Sequence, residues 1–398
     1  MSRAFGKLDL TSEPPLRGFE LYFGITSPVG FEAWRSRYPS VQNLLDHLSR
    51  YSRSEASRRT YLNLLQLFCE KTGHNPDQLV TLSLDTINDL IQNHIDELAR
   101  QDYSKSYVNT VNKRLKTFFR SNNIKPETRS YYQPTRYRKR PEYIPTKQEI
   151  YKIADAADNQ RDRAIILCLW SSGLRISTFC ALTIGDIKEE LENNEPIIRL
   201  PVYPEMKKRV PDSCKGLVPY YCFISTEAQT ALRVYLNERE EYYGTLEPQQ
   251  PLFCSAWNLW TRNQRPMKPI GRRGVGVLLK KSARLAEISR WDQISPHCLR
   301  KAFESVLRSP SVDGGRMDKG TQEFFMGHIL PGTQDTYYDK TNIDYHRDEY
   351  AKLDFRRTTA MPKAVDKLIN LENLETYLEY GWMFVSKIAD DRVVIRRQ

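Results

Sequence analysis

The stretch from Lys113 to Arg140 constrains this chain more than any other, because its charge is one-sided and its second half has no structural period. Ten basic residues stand in it: Lys113, Arg114, Lys116, Arg120, Lys125, Arg129, Arg136, Arg138, Lys139 and Arg140. They face one acid, Glu127. From Lys125 onward the mixture of Pro, Ser, Thr, Arg and Tyr follows neither a 3.6- nor a 2-residue apolar repeat, as expected of an extended linker. A linker is therefore placed over residues 124–144, dividing a chain of 398 residues with room for two or three domains. The stretch holds most of the net charge of +11, which favours a polyanionic partner. A second run without acids, Arg262 to Arg284, includes Arg272 and Arg273. Two basic stretches in different domains suggest a clamp on nucleic acid.

An N-terminal segment, 1–39, precedes a region that reads as helices over residues 40–123. Tyr61, Leu64, Leu65 and Phe68 recur at helical spacing. Val108, Val111, Leu115 and Phe118 repeat one face, with Lys113, Arg114 and Lys116 turned away from it. A small helical DNA-binding domain with one basic helix is expected there. After the linker, Thr146 to Ala157 reads as a capped helix, and Arg161 to Ser172 as an apolar one stopped by Gly173. Ile197 to Tyr203 and Leu217 to Ser225 read as two strands around a polar turn. Helices resume over Thr226–Glu238, Arg273–Leu285 and Ser295–Leu307. The expected fold is mainly α with a small antiparallel β-sheet: a domain over 145–345, then a tail over 346–398 with a helical pattern from Leu371 and a hairpin turning at Asp390 and Asp391.

Several classes are excluded. The apolar run Ala164–Trp170 falls far short of the ~20 residues of a membrane span. The N-terminus lacks the apolar core of a secretory signal, so a cytoplasmic, nucleoid-associated protein is expected. Seven widely spread cysteines without a C-x-x-C pair suggest neither a disulfide framework nor a zinc ribbon. Gly271 to Gly276, G-x-x-G-x-G, reads as a basic turn rather than a dinucleotide fingerprint. No Walker loop, HExxH or carboxylate cluster points to a cofactor or metal.

Four segments in order carry chemistry: SSGLRIS around Arg175, the turn with Lys207, Lys208 and Lys215, SPHCLRKAF with His297 and Arg300, and MGHILPGTQDTYYD with His328, Tyr337 and Tyr338. Ser295 as N-cap and Pro296 at the first helical position put His297 and Arg300 on one face of a first turn, where free N–H groups attract phosphate. A guanidinium there grips two phosphate oxygens.

Taken together, these segments resemble the tyrosine recombinase (integrase) family, most closely its archaeal members, over about Pro145 to Asp339. The resemblance implies that Arg175 and Arg300 clamp a DNA phosphate, that His297 and His328 accompany them, and that a lysine of the turn is the general acid, with Lys207 ranked above Lys208 and Lys215. It places the nucleophile nine residues after the second histidine, at Tyr337, with Tyr338 in reserve. The implied activity is cleavage and rejoining of double-stranded DNA through a 3′-phosphotyrosine, without ATP or metal, by a homo-tetramer on two DNA sites. Thr178 departs from the pattern, since an acidic residue commonly stands three positions after the first arginine. A type IB topoisomerase, or a DNA-binding protein without turnover, are the alternative readings.

Overall fold

The computed structural model describes residues 18–26, 34–51, 55–132, 142–193, 195–255, 268–330, 332–357, 365–379, 382–389 and 391–397. Its Cα positions fall into two compact units, Met1–Pro141 and Glu142–Gln398.

The first unit is helical: α1 (Gly18–Phe23), α2 (Pro39–Tyr51), α3 (Glu55–Thr72), α4 (Pro76–Leu79), α5 (Leu84–Arg100) and α6 (Lys105–Ser121). Ser83 and Ser104 cap α5 and α6 by accepting from backbone N–H groups three residues on. The apolar face read for α6 is fully buried: Val108, Val111, Leu115 and Phe118 join Leu64, Leu65 and Phe68 in one core. The core also takes Phe19, Phe23, Ile25 and Trp34, so the N-terminal segment contributes to it from residue 18 on.

The basic side of α6 is not uniformly free. Lys113 is exposed, but the Arg114 guanidinium lies 5.1 Å from the centre of the Tyr61 ring. Lys116 donates from Nζ to the Thr128 carbonyl at 2.8 Å, and burial lowers its pKa. The first part of the expected linker is in fact fastened to α5 and α6 through its backbone. The N–H groups of Glu127, Arg129 and Tyr131 donate to Asn88, Gln92 and Asn109, each at 2.8 Å. Tyr131 packs against the helical core and donates its hydroxyl to Asp96. Tyr132 is exposed. Arg136, Arg138, Lys139 and Arg140 lie outside the described residues.

The second unit opens with α7 (Lys147–Asp155), whose cap is reciprocal: Thr146 accepts from the Glu149 N–H while Glu149 accepts from the Thr146 N–H. Then come α8 (Gln160–Ser172), α9 (Ile176–Phe179), α10 (Lys188–Glu192), β1 (Arg199–Val202), β2 (Tyr220–Phe223), α11 (Thr226–Tyr243), α12 (Arg272–Leu285), α13 (Pro296–Arg308), α14 (Lys319–Phe325), α15 (Gln334–Tyr337) and α16 (Ile343–Ala351). From Ala164 to Ser172 every residue of α8 is buried, as an all-apolar helix must be, and α7, α11 and α13 pack around it. Strands β1 and β2 are antiparallel, with Arg199 opposite Phe223 and Val202 opposite Tyr220. The GRRGVG stretch is not a turn: Gly271 caps α12, which it opens. Tyr350, Leu353 and Phe355 lie in this core, so residues 346–357 pack with the elements from α7 onward rather than with the tail.

The tail holds a second sheet. β3 (Val365–Asn370) pairs with β5 (Arg392–Arg397), and β5 pairs with β4 (Met383–Ala389), all antiparallel. The hairpin read at Asp390 and Asp391 is β4–β5. The helical pattern from Leu371 shrinks to α17 (Leu374–Glu379) and an adjacent 3-10 turn. Ile369, Val393 and Ile395 form a small core of their own with Leu374, Tyr377 and Trp382. No helix among the described residues is long and apolar enough to cross a membrane.

Candidate active site

Two glycines allow close contacts among four segments. Gly173 ends α8 with φ of +58°, and a Cβ there would lie 2.0 Å from the Phe303 ring of α13. Gly327, after α14, has φ of +59°, and its Cβ would lie 2.3 Å from the Tyr220 ring of β2. Only a residue without a side chain fits either place. The close approach lets Arg300, in the first turns of α13, donate from Nη1 to the Gly173 carbonyl and from Nη2 to the Met326 carbonyl, both at 2.5 Å. Arg175, the N-cap of α9, donates to the carbonyl of the next residue, Gly327, at 3.4 Å.

The two guanidiniums are close enough to repel each other. Arg300 is 7% exposed, and its pKa is lowered first by burial; the Tyr220 side chain opposes that, and the Arg175 charge adds to it. Neither arginine forms an ion pair with a carboxylate among the described residues. Two neighbouring cations, Arg300 buried and Arg175 half-buried, without a carboxylate partner among the described residues, suit an external anion.

The turn between β1 and β2 lies beside Arg175. Thr178, where an acid is common, is buried, and its hydroxyl accepts from the Cys214 N–H at 3.3 Å. Ser177 donates to the Asp212 carbonyl at 2.9 Å. The short helix that follows Arg175 therefore fastens the turn instead of carrying a carboxylate. Lys207, at the end of a 3-10 turn, donates to the Pro211 carbonyl at 3.2 Å. Burial pushes the Cys214 thiol up, and the charges of Lys207 and Arg175 both oppose this, which puts the two cations around one side chain. Lys208 and Lys215 are exposed.

The Ser295 hydroxyl accepts from the Cys298 N–H, and Pro296 opens the helix, as expected. The His297 side chain is 65% exposed, with Nε2 3.6 Å from a carboxylate oxygen of Glu142; Lys301 pairs with the other oxygen of the same carboxylate. His328, next to Gly327, has Nδ1 2.6 Å from Glu323 and is also open to solvent. Tyr337 is the last residue of α15.

Tyr338 is engaged elsewhere. Its hydroxyl is 2.8 Å from the Thr321 hydroxyl and 2.8 Å from Nε2 of His346. Burial is the first cause of a pKa raised far above the ordinary tyrosine value. His346 carries no signal in the sequence, because its partners lie on other elements: Nδ1 is 2.5 Å from the hydroxyl of Tyr221, in β2. Glu142 and Tyr220 are silent there for the same reason.

Of the remaining basic positions, Arg273 is exposed, whereas Arg272 pairs with Asp212 at 2.8 Å.

Residues 145–339 match the model of the Phage integrase family. The chain is similar to the tyrosine recombinase XerA of Pyrococcus horikoshii, 29% identical over 69% of this chain and 81% of that protein. It is also similar to the tyrosine recombinase XerA of Thermococcus kodakarensis (26% identical, 64% and 79%) and the tyrosine recombinase XerC of Thermodesulfovibrio yellowstonii (24% identical, 69% and 84%).

Proposed function

We propose that residues 145–339, which match the Phage integrase family model, form a tyrosine recombinase catalytic domain, with which the chain cleaves and rejoins duplex DNA at specific sites through a 3′-phosphotyrosine. The phenolic oxygen of Tyr337 attacks the phosphorus, the bond to the 5′ oxygen breaks, and that oxygen leaves with a proton from Lys207. Arg175 and Arg300 hold the non-bridging oxygens, on which negative charge grows. His297 assists removal of the phenol proton, and His328 completes the pocket. A 5′ hydroxyl then attacks the phosphotyrosine, so the bond energy is kept and no nucleotide is consumed. Exchange between two DNA sites calls for a tetramer, and the basic face of the helical unit together with the linker supplies phosphate contacts.

One observation carries this reading: two neighbouring guanidiniums without a carboxylate partner among the described residues, bonded to the carbonyls of Met326 and Gly327 directly before His328. The engagement of Tyr338 in other hydrogen bonds supports Tyr337 as nucleophile. Incubation with a nicked suicide substrate tests it. Tyr337→Phe is expected to bind DNA and form no covalent adduct; an adduct with Tyr337→Phe overturns the assignment.

A further inference from the structure

We propose that Tyr338 and His346, with Thr321 and Asp318, form a hydrogen-bonded latch that positions the backbone of Tyr337 for attack. This rests on the reading of Tyr337 as nucleophile.

The direction of every proton in the latch follows from its first member. The Asp318 carboxylate only accepts, taking bonds from the N–H and the hydroxyl of Thr321. The Thr321 proton is thus used, and Tyr338 must donate to Thr321. The Tyr338 proton is then used in turn, so Nε2–H of His346 donates to Tyr338. Nδ1 is left to accept from Tyr221. The imidazole is neutral with its proton on Nε2, in keeping with a pKa that burial lowers against the raising effect of Asp339, Asp318 and Glu349. The rings add order: Tyr338 lies 5.5 Å from His346 at 22°, and Phe324 lies 4.8 Å from His346 at 22°.

The latch has a firm base and a weak load. Helix α16 is held to the core on two further sides: Arg347 pairs with Glu190 and Glu195, both at 2.9 Å, and Tyr350 donates to the Ser171 carbonyl at 2.7 Å. By contrast α15 has four residues, too few to hold itself as a helix. Asp335 closes the loop on itself, accepting from the Leu330 N–H and from Lys340. Tyr338 ties that loop to α14 and α16, one residue from the attacking oxygen's own backbone. Displacement of a reacting group by about 1 Å costs on the order of 10²-fold in rate.

The test measures single-turnover adduct formation on the suicide substrate beside DNA affinity. Tyr338→Phe keeps the ring and removes the link; adduct formation should slow by roughly 10- to 100-fold with affinity unchanged. Thr321→Val should slow it likewise and Thr321→Ser restore it, a contrast that stands even where Tyr338→Phe does not fold. The imidazole ¹⁵N spectrum of the full chain should show His346 with its proton on Nε2. Wild-type rates in Tyr338→Phe, equal rates in the two Thr321 variants, or a proton on Nδ1 would each overturn the latch. Tyr337→Phe runs in parallel: an adduct there refutes the nucleophile, and loss of the adduct in Tyr338→Phe alone refutes both by making Tyr338 the nucleophile.

Discussion

Arg300 should be worth little to stability and a great deal to cleavage, and Arg300→Met separates the two. The side chain makes two short bonds from a charged donor, each contributing about 1.5–3 kcal/mol, so their loss costs about 3–6 kcal/mol. Against this stands a guanidinium buried without a carboxylate partner among the described residues and repelled by Arg175, with an effective desolvation penalty of several kcal/mol. Methionine removes both contributions and nearly fills the space. The net change should stay within about 2 kcal/mol, less than about 8 °C in the Tm of the catalytic unit. Cleavage loses a donor to the transition-state charge and should fall at least about 10²-fold, equivalent to roughly 2.7–4 kcal/mol. Arg300→Lys should be nearly as slow, because one ammonium cannot reach two carbonyls from different segments. The assays are thermal unfolding and single-turnover adduct formation. A variant that melts more than about 15 °C lower would show that the arginine is mainly structural, by the same conversion. Cleavage within a few-fold of wild type would remove it from the site.

Three further outcomes follow from particular geometry. Gly173→Ala sets a Cβ against Phe303 in a left-handed backbone and should cost about 2–5 kcal/mol; Phe303→Leu in the same chain should recover part of it, and strictly additive Tm shifts would refute the contact. Lys207→Ala should regain cleavage on a substrate whose 5′ bridging oxygen is sulfur, a leaving group that needs no proton, while Arg175→Ala should not; rescue of Lys215→Ala alone would move the acid to the second strand. His94 is buried in α5 with a pKa lowered to about 4, chiefly by burial and further by Lys71. Its folded form binds the proton less readily than the unfolded form, so the stability it contributes is present above the unfolded value of about 6.5 and falls as pH drops from there towards 4. Allowing for residual screening, the loss is about 2 kcal/mol. The hydrogen-exchange protection factors of α5, referred to the intrinsic exchange rate at each pH, should fall between pH 7 and 5 in the wild type and much less in His94→Leu, and an equal fall would refute the assignment.

The parts of this fold that were legible in the sequence are those whose determinants are local. Thr146 with Glu149, Ser295 with Pro296, and Gly173 write their helix ends within four residues, and the structure caps each helix there. The apolar spacing of α6 shows its buried face directly. Residues 124–132 read as a free spacer because periodicity reports apolar burial, whereas this segment is held by side-chain amides of Asn88, Gln92 and Asn109 that bond its backbone and leave no apolar repeat. Strand β3, with Asp366, Lys367 and Asn370 in six residues, has too little apolar alternation to be seen before β5 pairs with it. The site divides in the same way. Motifs flagged Arg175, Arg300 and His328 because each sits in a local pattern of cap or glycine; His346 lies 125 residues from Tyr221, and Thr321 lies 17 from Tyr338. The residues proposed to touch the substrate thus stand in short motifs, while the hydrogen bonds of the proposed latch exist only once β2, α14 and α16 have come together.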